Sequence, residues 1–303
     1  MNWRLKSALR HALLALPGGD ALYRWLTYTL MGSMSAMPAK WFRVFPSRVE
    51  LLQRSFGSDA RSQSLWCFDS GATMAAGLAM AVATDEPGLL TDRWNRLTDR
   101  YCATSRQVLR EKGPDLARLS RATEGRVEWV LSKTAGRRAI PALTAVRMAY
   151  GDHAAAEQPE WSGRFGCVFS SGTLEHYAPD GLERQVGRMA CALRPDGVMS
   201  HVVDHRDHRW HADKRLSPLA HLTLSEDAFM RRYGNPVEYH NRWLHGRFVE
   251  LFSRHGFAVQ CETLREYQPE MVPLDRARLA PEFRDATDND LHALVTHFIL
   301  TRP

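Results

Sequence analysis

The residues best equipped for chemistry fall in two short runs. Leu174-Glu175-His176-Tyr177 sets a carboxylic acid beside an imidazole. Further along, His201 is followed by Asp204-His205-Arg206-Asp207-His208 and then His211. Imidazole exchanges its proton near neutral pH, so either run can supply a general base with a carboxylate to orient it. His176, His205 and His208 are the catalytic candidates on that ground. The second run has two further readings. His208 and His211 are spaced like ligands of a divalent metal, with acids around them. Asp and His are also ordinary at helix caps and on polar surfaces. From the residues alone, a base and orienting network, a metal site and plain capping all stay open. The expected cofactors include no metal.

Such side chains need elements to hold them at one place. Phe165 to Phe169 is a short, apolar, β-prone run. It breaks into Ser170-Ser171-Gly172, and an amphipathic helix is expected from Leu174-Glu175-His176. That helix stops at Leu193-Arg194-Pro195-Asp196-Gly197, and a further strand is expected over 197–203. Strand, crossover helix, turn and strand are the unit of a parallel α/β sheet, whose ligands sit beyond the carboxyl ends of the strands. Ser170, Ser171 and His176 therefore belong to a ligand mouth, and so does the run that begins at Asp204. Other strands are expected at 64–69, 88–91, 145–150, 257–263 and 292–301. Helices are expected over 74–83, 93–113 and 248–255, the last stopped by Gly256. Residues 1–60 read as helices broken by Pro17, Pro38 and Pro46.

The stretch Val168-Phe169-Ser170-Ser171-Gly172-Thr173-Leu174-Glu175-His176, together with Leu193-Arg194-Pro195-Asp196-Gly197, resembles class I S-adenosylmethionine (SAM) dependent methyltransferases. Within that family, Asp204-His205-Arg206-Asp207-His208, Asn241-Arg242-Trp243-Leu244 and Gly256-Phe257 are similar to a bacterial small-molecule and natural-product subgroup. The resemblance implies an α/β fold: a Rossmann-like, seven-stranded, mostly parallel sheet with an antiparallel last strand. It divides the chain into an N-terminal helical extension or lid (1–60) and a methyltransferase-like domain (61–303). A helical insertion (209–247) would cap the acceptor.

The resemblance also implies a SAM site. In Phe68-Asp69-Ser70-Gly71-Ala72-Thr73, Gly71 takes the place of the family's central glycine and Asp69 the acidic place. Ala72 or Thr73 stands where the last glycine is usual, and a Cβ there restricts positive φ. Asp92 would take the ribose hydroxyls and Asp152 the adenine amine, with Ser170 and Ser171 at the mouth. A helix N-cap is the other reading of Asp92. Gly166 departs from a pattern in which relatives carry Asp. The reaction implied moves a methyl group to an O or N atom of a small-molecule acceptor. A methyltransferase-like protein with a degenerate SAM motif, serving as a partner subunit or catalysing other chemistry in the same pocket, is the alternative.

Composition sets the remaining bounds. The chain has 303 residues, a net charge of +6 and 44% apolar residues. It contains no Lys/Arg block of the kind that grips nucleic acid, so neither nucleic acid nor a membrane is an expected partner. Arg206, Arg209, Arg231, Arg232 and Arg242 hint at an acidic or phosphate-bearing acceptor. Trp161, Trp210 and Trp243 could line its pocket. The five cysteines are scattered with no Cys-x-x-Cys pair, which fits a reducing, cytoplasmic setting. A homodimer is compatible with these features.

Overall fold

Alternation along the strands decides where the core lies. In β1 (Ser64–Phe68) the side chains of Leu65 and Cys67 join one apolar cluster, and Trp66 and Phe68 join another. Every residue of β1, β2 (Gly88–Asp92) and β4 (Phe165–Ser171) is buried, as strands sandwiched between two layers must be. The computed structural model describes residues 12–13, 16–26, 37–68, 74–92, 98–134, 146–150, 157–233 and 239–303. β3 (Val146–Tyr150), β5 (Leu193–Asp204), β6 (Ala258–Glu266) and β7 (Ala293–Thr301) complete one sheet. Its order is β3-β2-β1-β4-β5-β7-β6.

β1 to β5 pair in parallel, and β7 runs antiparallel to both its neighbours, β5 and β6. β6 therefore points the same way as β1 to β5, and the last strand in sequence is inserted between β5 and β6.

The helices are α1 (Gly19–Arg24), α2 (Met37–Phe56), α3 (Ala75–Ala83), α4 (Asp99–Leu119), α5 (Arg126–Lys133), α6 (Pro179–Ala192), α7 (Glu226–Tyr233), α8 (His245–Arg254) and α9 (Asp288–His292). α2 to α5 pack on one face of the sheet, and α6 and α8 on the other. α2 buries Trp41, Phe45, Val49 and Leu52, a stripe at helical spacing. Trp41 and Phe45 meet Phe169 of β4 edge-on at 6.1 and 5.5 Å. Each such side chain contributes about 2 kcal/mol on burial. α2 thus shares the sheet's core.

Several local expectations change, and one is that Pro46 does not break the N-terminal helices, because α2 runs through it. Leu174–His176 is a single 3-10 turn, and α6 begins at Pro179, whose fixed φ suits the first helical turn. α4 runs through Pro114 to Leu119, because Leu109, Gly113 and Leu116 pack inward and outweigh one lost backbone bond. Among the described residues between 209 and 244, α7 is an α-helix and 3-10 turns lie at His208–His211 and Ala220–Thr223.

Gly166 lies where the register of β4 shifts against both neighbours. A Cβ there would stand 2.2 Å from Gln63 Oε1. Gln63 donates to Asp59 O (2.9 Å) and accepts from Arg194 (3.0 Å). The polar anchor here is Gln63, the residue just before β1. Among the described residues no helix is long and apolar enough to cross a membrane. None of the five cysteines is joined in a disulfide, and Cys67, Cys102 and Cys167 are buried.

Candidate functional site

The parallel register brings four strand ends to one level. Phe68 pairs with Thr91, so Asp92 lies one residue beyond the last paired position of β1. Asp92 is buried and pairs with Tyr150 of β3. Cys67 pairs with Phe169, so Ser170 and Ser171 extend past that pair on the other side. β5 continues to Asp204. Asp69, Gly71 and Asp152 lie outside the described residues.

Two cations of α2 reach the end of β4. Lys40 Nζ donates to Ser171 O at 3.1 Å, and an Arg48 nitrogen reaches Ser170 O at 3.5 Å. The Ser170 hydroxyl is engaged inside the sheet, 2.8 Å from His201 Nδ1, its direct partner in the register. Only the backbone of Ser170 and Ser171 faces these cations.

Gly172 then turns the chain with φ +66°, and a Cβ there would meet Lys40 Nζ at 3.1 Å and Glu175 Oε1 at 3.5 Å. That turn swings Glu175 back over the strand end. Its Oε1 accepts from Asp204 N at 3.3 Å, and its Oε2 is buried without a hydrogen-bond partner. Burial pushes the Glu175 carboxyl up to about 8, with Asp204 adding to the shift and Lys40 opposing it. Burial lowers Lys40, against the pull of Glu175 and Asp204. Burial works to raise Asp204 as well. The hydrogen bonds from Arg206 (2.7 and 2.6 Å) overcome it and hold Asp204 well below the usual carboxylate range. Glu175 and Asp204 are thus driven apart, one toward the acid and one toward the anion. Such splitting marks functional sites.

Histidines close over these acids. His176 and His208 stand 4.9 Å apart between ring centres, His208 and His240 4.7 Å, and His221 and His240 5.2 Å. Burial is the first cause that lowers His208, His221 and His240 well below the ordinary value, and neighbouring cations and histidines add to it. The rings are therefore neutral, each with one lone pair and one N–H. His176 Nδ1 is 2.8 Å from Tyr239 O. A carbonyl only accepts, so Nδ1 carries a hydrogen. His240 Nδ1 accepts from Arg242 N at 3.0 Å, which leaves Nε2–H as a buried donor without a partner. His208 is hemmed in by protein and keeps an accessible edge.

The turn that carries His240 is stapled in place. Asn241 donates from its backbone to Glu175 O, and from its side chain to Leu174 O and Tyr177 O. Arg242 adopts φ 57° and is fully buried between the rings of Phe229 and Phe283. It donates to Leu224 O (2.6 Å) and His221 O (3.2 Å) and pairs with Glu226.

The predicted residues therefore divide. His176 and His208 come together beside Glu175. His205 does not join them: it is fully buried, and its nitrogens reach Trp243 O (3.0 Å) and Thr296 Oγ1 (3.1 Å). Both of its polar atoms are used by the fold, so none is left for an acceptor. Three of the five arginines that hinted at an acidic acceptor are likewise occupied. Arg206 clamps Asp204, Arg209 clamps Asp207, and Arg242 holds the cap. Trp161 stacks on Phe165 at 5.2 Å inside the core. Trp210 lies under Arg206 and Lys214.

Sequence reasoning missed Lys40, His221 and His240. His240 adjoins the Asn241-Arg242 stretch and was within reach. Lys40 has no local signal, since only the docking of α2 brings it here.

No family model matches the sequence, and no curated protein matches it. Solved structures that the fold resembles include three at low identity. One is a phosphoethanolamine N-methyltransferase of Haemonchus contortus in complex with SAM (14% identity, TM-score 0.44), with 85% of this chain and 52% of that one covered. Another is an O-methyltransferase family protein of Burkholderia thailandensis (14%, TM-score 0.43; 88% and 58%). The third is the cyclase SpnF (12%, TM-score 0.44; 85% and 81%). The chain thus spans little more than half the length of the first two.

Proposed function

We propose that this chain is a SAM-dependent methyltransferase acting on an oxygen or nitrogen of a small metabolite, in small-molecule biosynthesis. One observation carries the reading. Two half-sites share the carboxyl edge of one parallel sheet, Asp92 at the end of β2 and the Glu175-His176-His208 group beyond β4 and β5. Asp92 fits the cofactor's ribose, because a buried carboxylate beside the end of β1 can accept from two hydroxyls. Asp69, Gly71 and Asp152 complete the cofactor half by their places in the sequence. Bound there, SAM supplies a methyl group on a positively charged sulfur.

The protein's part is alignment and proton removal. The neutral ring of His208, beside His176, offers a lone pair to an acceptor O–H or N–H. The His240 Nε2–H and the protonated Glu175 can donate to acceptor oxygens. The turn at 239–243 is tied to Leu174 and Glu175 beside this half.

Calorimetry of the full chain with SAM and with its demethylated product tests the reading. Binding of both is expected, and Asp92→Ala is expected to weaken it about 10- to 100-fold. No heat at about 1 mM of either ligand would exclude the proposal. A second reading is favoured by Ala72-Thr73 after Gly71: the pocket serves a partner subunit or another reaction. Conversion of a bound metabolite that is indifferent to SAM and to Asp92→Ala would establish it.

A further inference from the structure

A groove of about 800 Å³ lies between α2 and the strands β5, β6 and β7. On α2, Arg43, Ser47, Glu50 and Arg54 reach it at helical spacing, and Arg48 lines it from within the core. On the strands, alternation turns Glu262 and Leu264 of β6 and His297 and Ile299 of β7 toward it. Arg48 is 2% exposed, and no carboxylate figures among the charges that act on it. Its contacts are Ser47 Oγ at 3.0 Å, His297 Nε2 at 3.4 Å and Ser170 O at 3.5 Å. The last two are longer than an ordinary hydrogen bond, and Arg48 Nε is buried with no partner. Burial pulls the guanidinium down to about 10, which leaves it charged at neutral pH. Glu262 leans on His297 Nδ1 at 3.6 Å, not on Arg48. Buried charges are as a rule paired, so the fold holds a cation that lacks its anion.

We infer that this groove is a binding site for a small amphiphilic monocarboxylate, its acid head on Arg48 and Arg54 and its apolar body along Val44, Leu264 and Ile299. Arg48 and Arg54 both act on the ring of His297, which puts the two cations at one end of the groove. A carboxylate takes two parallel N–H···O bonds from one edge of a guanidinium, and the Nε of Arg48 is the nitrogen left without a partner. Three arginines and two glutamates line the groove, an excess of one positive charge. One carboxylate balances that excess, and a phosphate dianion overshoots it. Val44, Val202 and Ile299 are half-buried and Leu264 is exposed, so a hydrocarbon tail laid there removes apolar surface from water. The site stands on these side chains alone and does not depend on methyl transfer.

Octanoate is titrated by calorimetry into the full chain at neutral pH, without SAM, and compared with acetate, octan-1-ol and octyl phosphate. One octanoate per chain is expected, with a dissociation constant of about 0.1 mM. Acetate and octan-1-ol each lack half of the ligand and should bind at least about 10-fold more weakly. These comparisons use the unsubstituted chain and are independent of variant folding. Arg48→Lys should weaken octanoate about 10-fold, because an ammonium offers no planar fork. Arg54→Ala changes an exposed position and should weaken it about 5-fold, whereas Glu262→Gln removes a repelling carboxylate and should tighten it about 3-fold. No octanoate binding at about 10 mM, octan-1-ol binding as well as octanoate, or octyl phosphate binding more tightly would overturn the assignment. So would an unchanged octanoate affinity in Arg54→Ala, which would put the ligand elsewhere on the chain.

Discussion

Two groups of histidines flank the end of β5, and in the sequence they look alike. His205 and His297 belong to the first. His205 bonds Trp243 O and Thr296 Oγ1, and His297 Nε2 sits 2.8 Å from Ser200 Oγ. Their rings pack against Phe248, Phe298 or Arg48. His176, His208 and His240 form the second, packed on one another, with an unpartnered Nε2–H on His240. The first group spends its polar atoms on the fold and the second keeps some in hand. Spare hydrogen-bonding capacity, rather than residue type or spacing, separates a tie from a site. Buried polar atoms without partners are costly, so their accumulation at one strand edge points to something that binds there.

The comparison can be tested by acid. Burial holds both His205 and His297 down at about 4, with Arg48 adding to the shift of His297. These values lie below the ordinary imidazole value of about 6.5, so the unfolded chain takes up protons first. Stability is therefore whole above about pH 6.5 and is lost as pH falls toward 4, by an amount on the order of 5 kcal/mol. Urea unfolding between pH 7 and pH 4 measures it. A flat profile would mean these rings are solvated.

Next in size is Arg242→Met, expected to cost about 4 kcal/mol because it leaves Glu226 and two carbonyls without their donor. The same change should release the His240 turn, read as faster amide exchange over residues 239–243. His205→Ala is expected to cost about 3 kcal/mol in chemical unfolding. His208→Ala, at the accessible edge, should cost less than about 1 kcal/mol while abolishing turnover. Equal stability losses in the two variants would erase the distinction between the groups. The smallest effect is that of Gly172→Ala, about 1 to 2 kcal/mol, from positive φ and the press of the new methyl on Lys40.

Much of the fold was legible in the sequence. Short apolar runs ending in small or acidic residues mark β1, β2 and β4, because strands buried on both faces are mostly apolar. Gly256, with φ +79° after α8, is readable for its own local reason. The 3-10 turn at Leu174–His176 was not, since one turn of 3-10 and one of α-helix share a sequence pattern and the following Pro179 decides between them. The site was half legible. Glu175, His176 and His208 could be named as chemical. That His205 points into the core, one residue past Asp204, follows from how β7 lies against β5.

Local preference and periodicity, which act between near neighbours, determined the strands, the helices and the acids and histidines at their ends. Tertiary structure decided which of those side chains are satisfied. Lys40 comes from α2, Tyr239 and His240 from the segment after α7, and Asp204 from β5. Their convergence on Glu175 depends on packing between segments far apart in the chain. A hydrogen bond is set by distance and direction in space, and no spacing along the sequence encodes those.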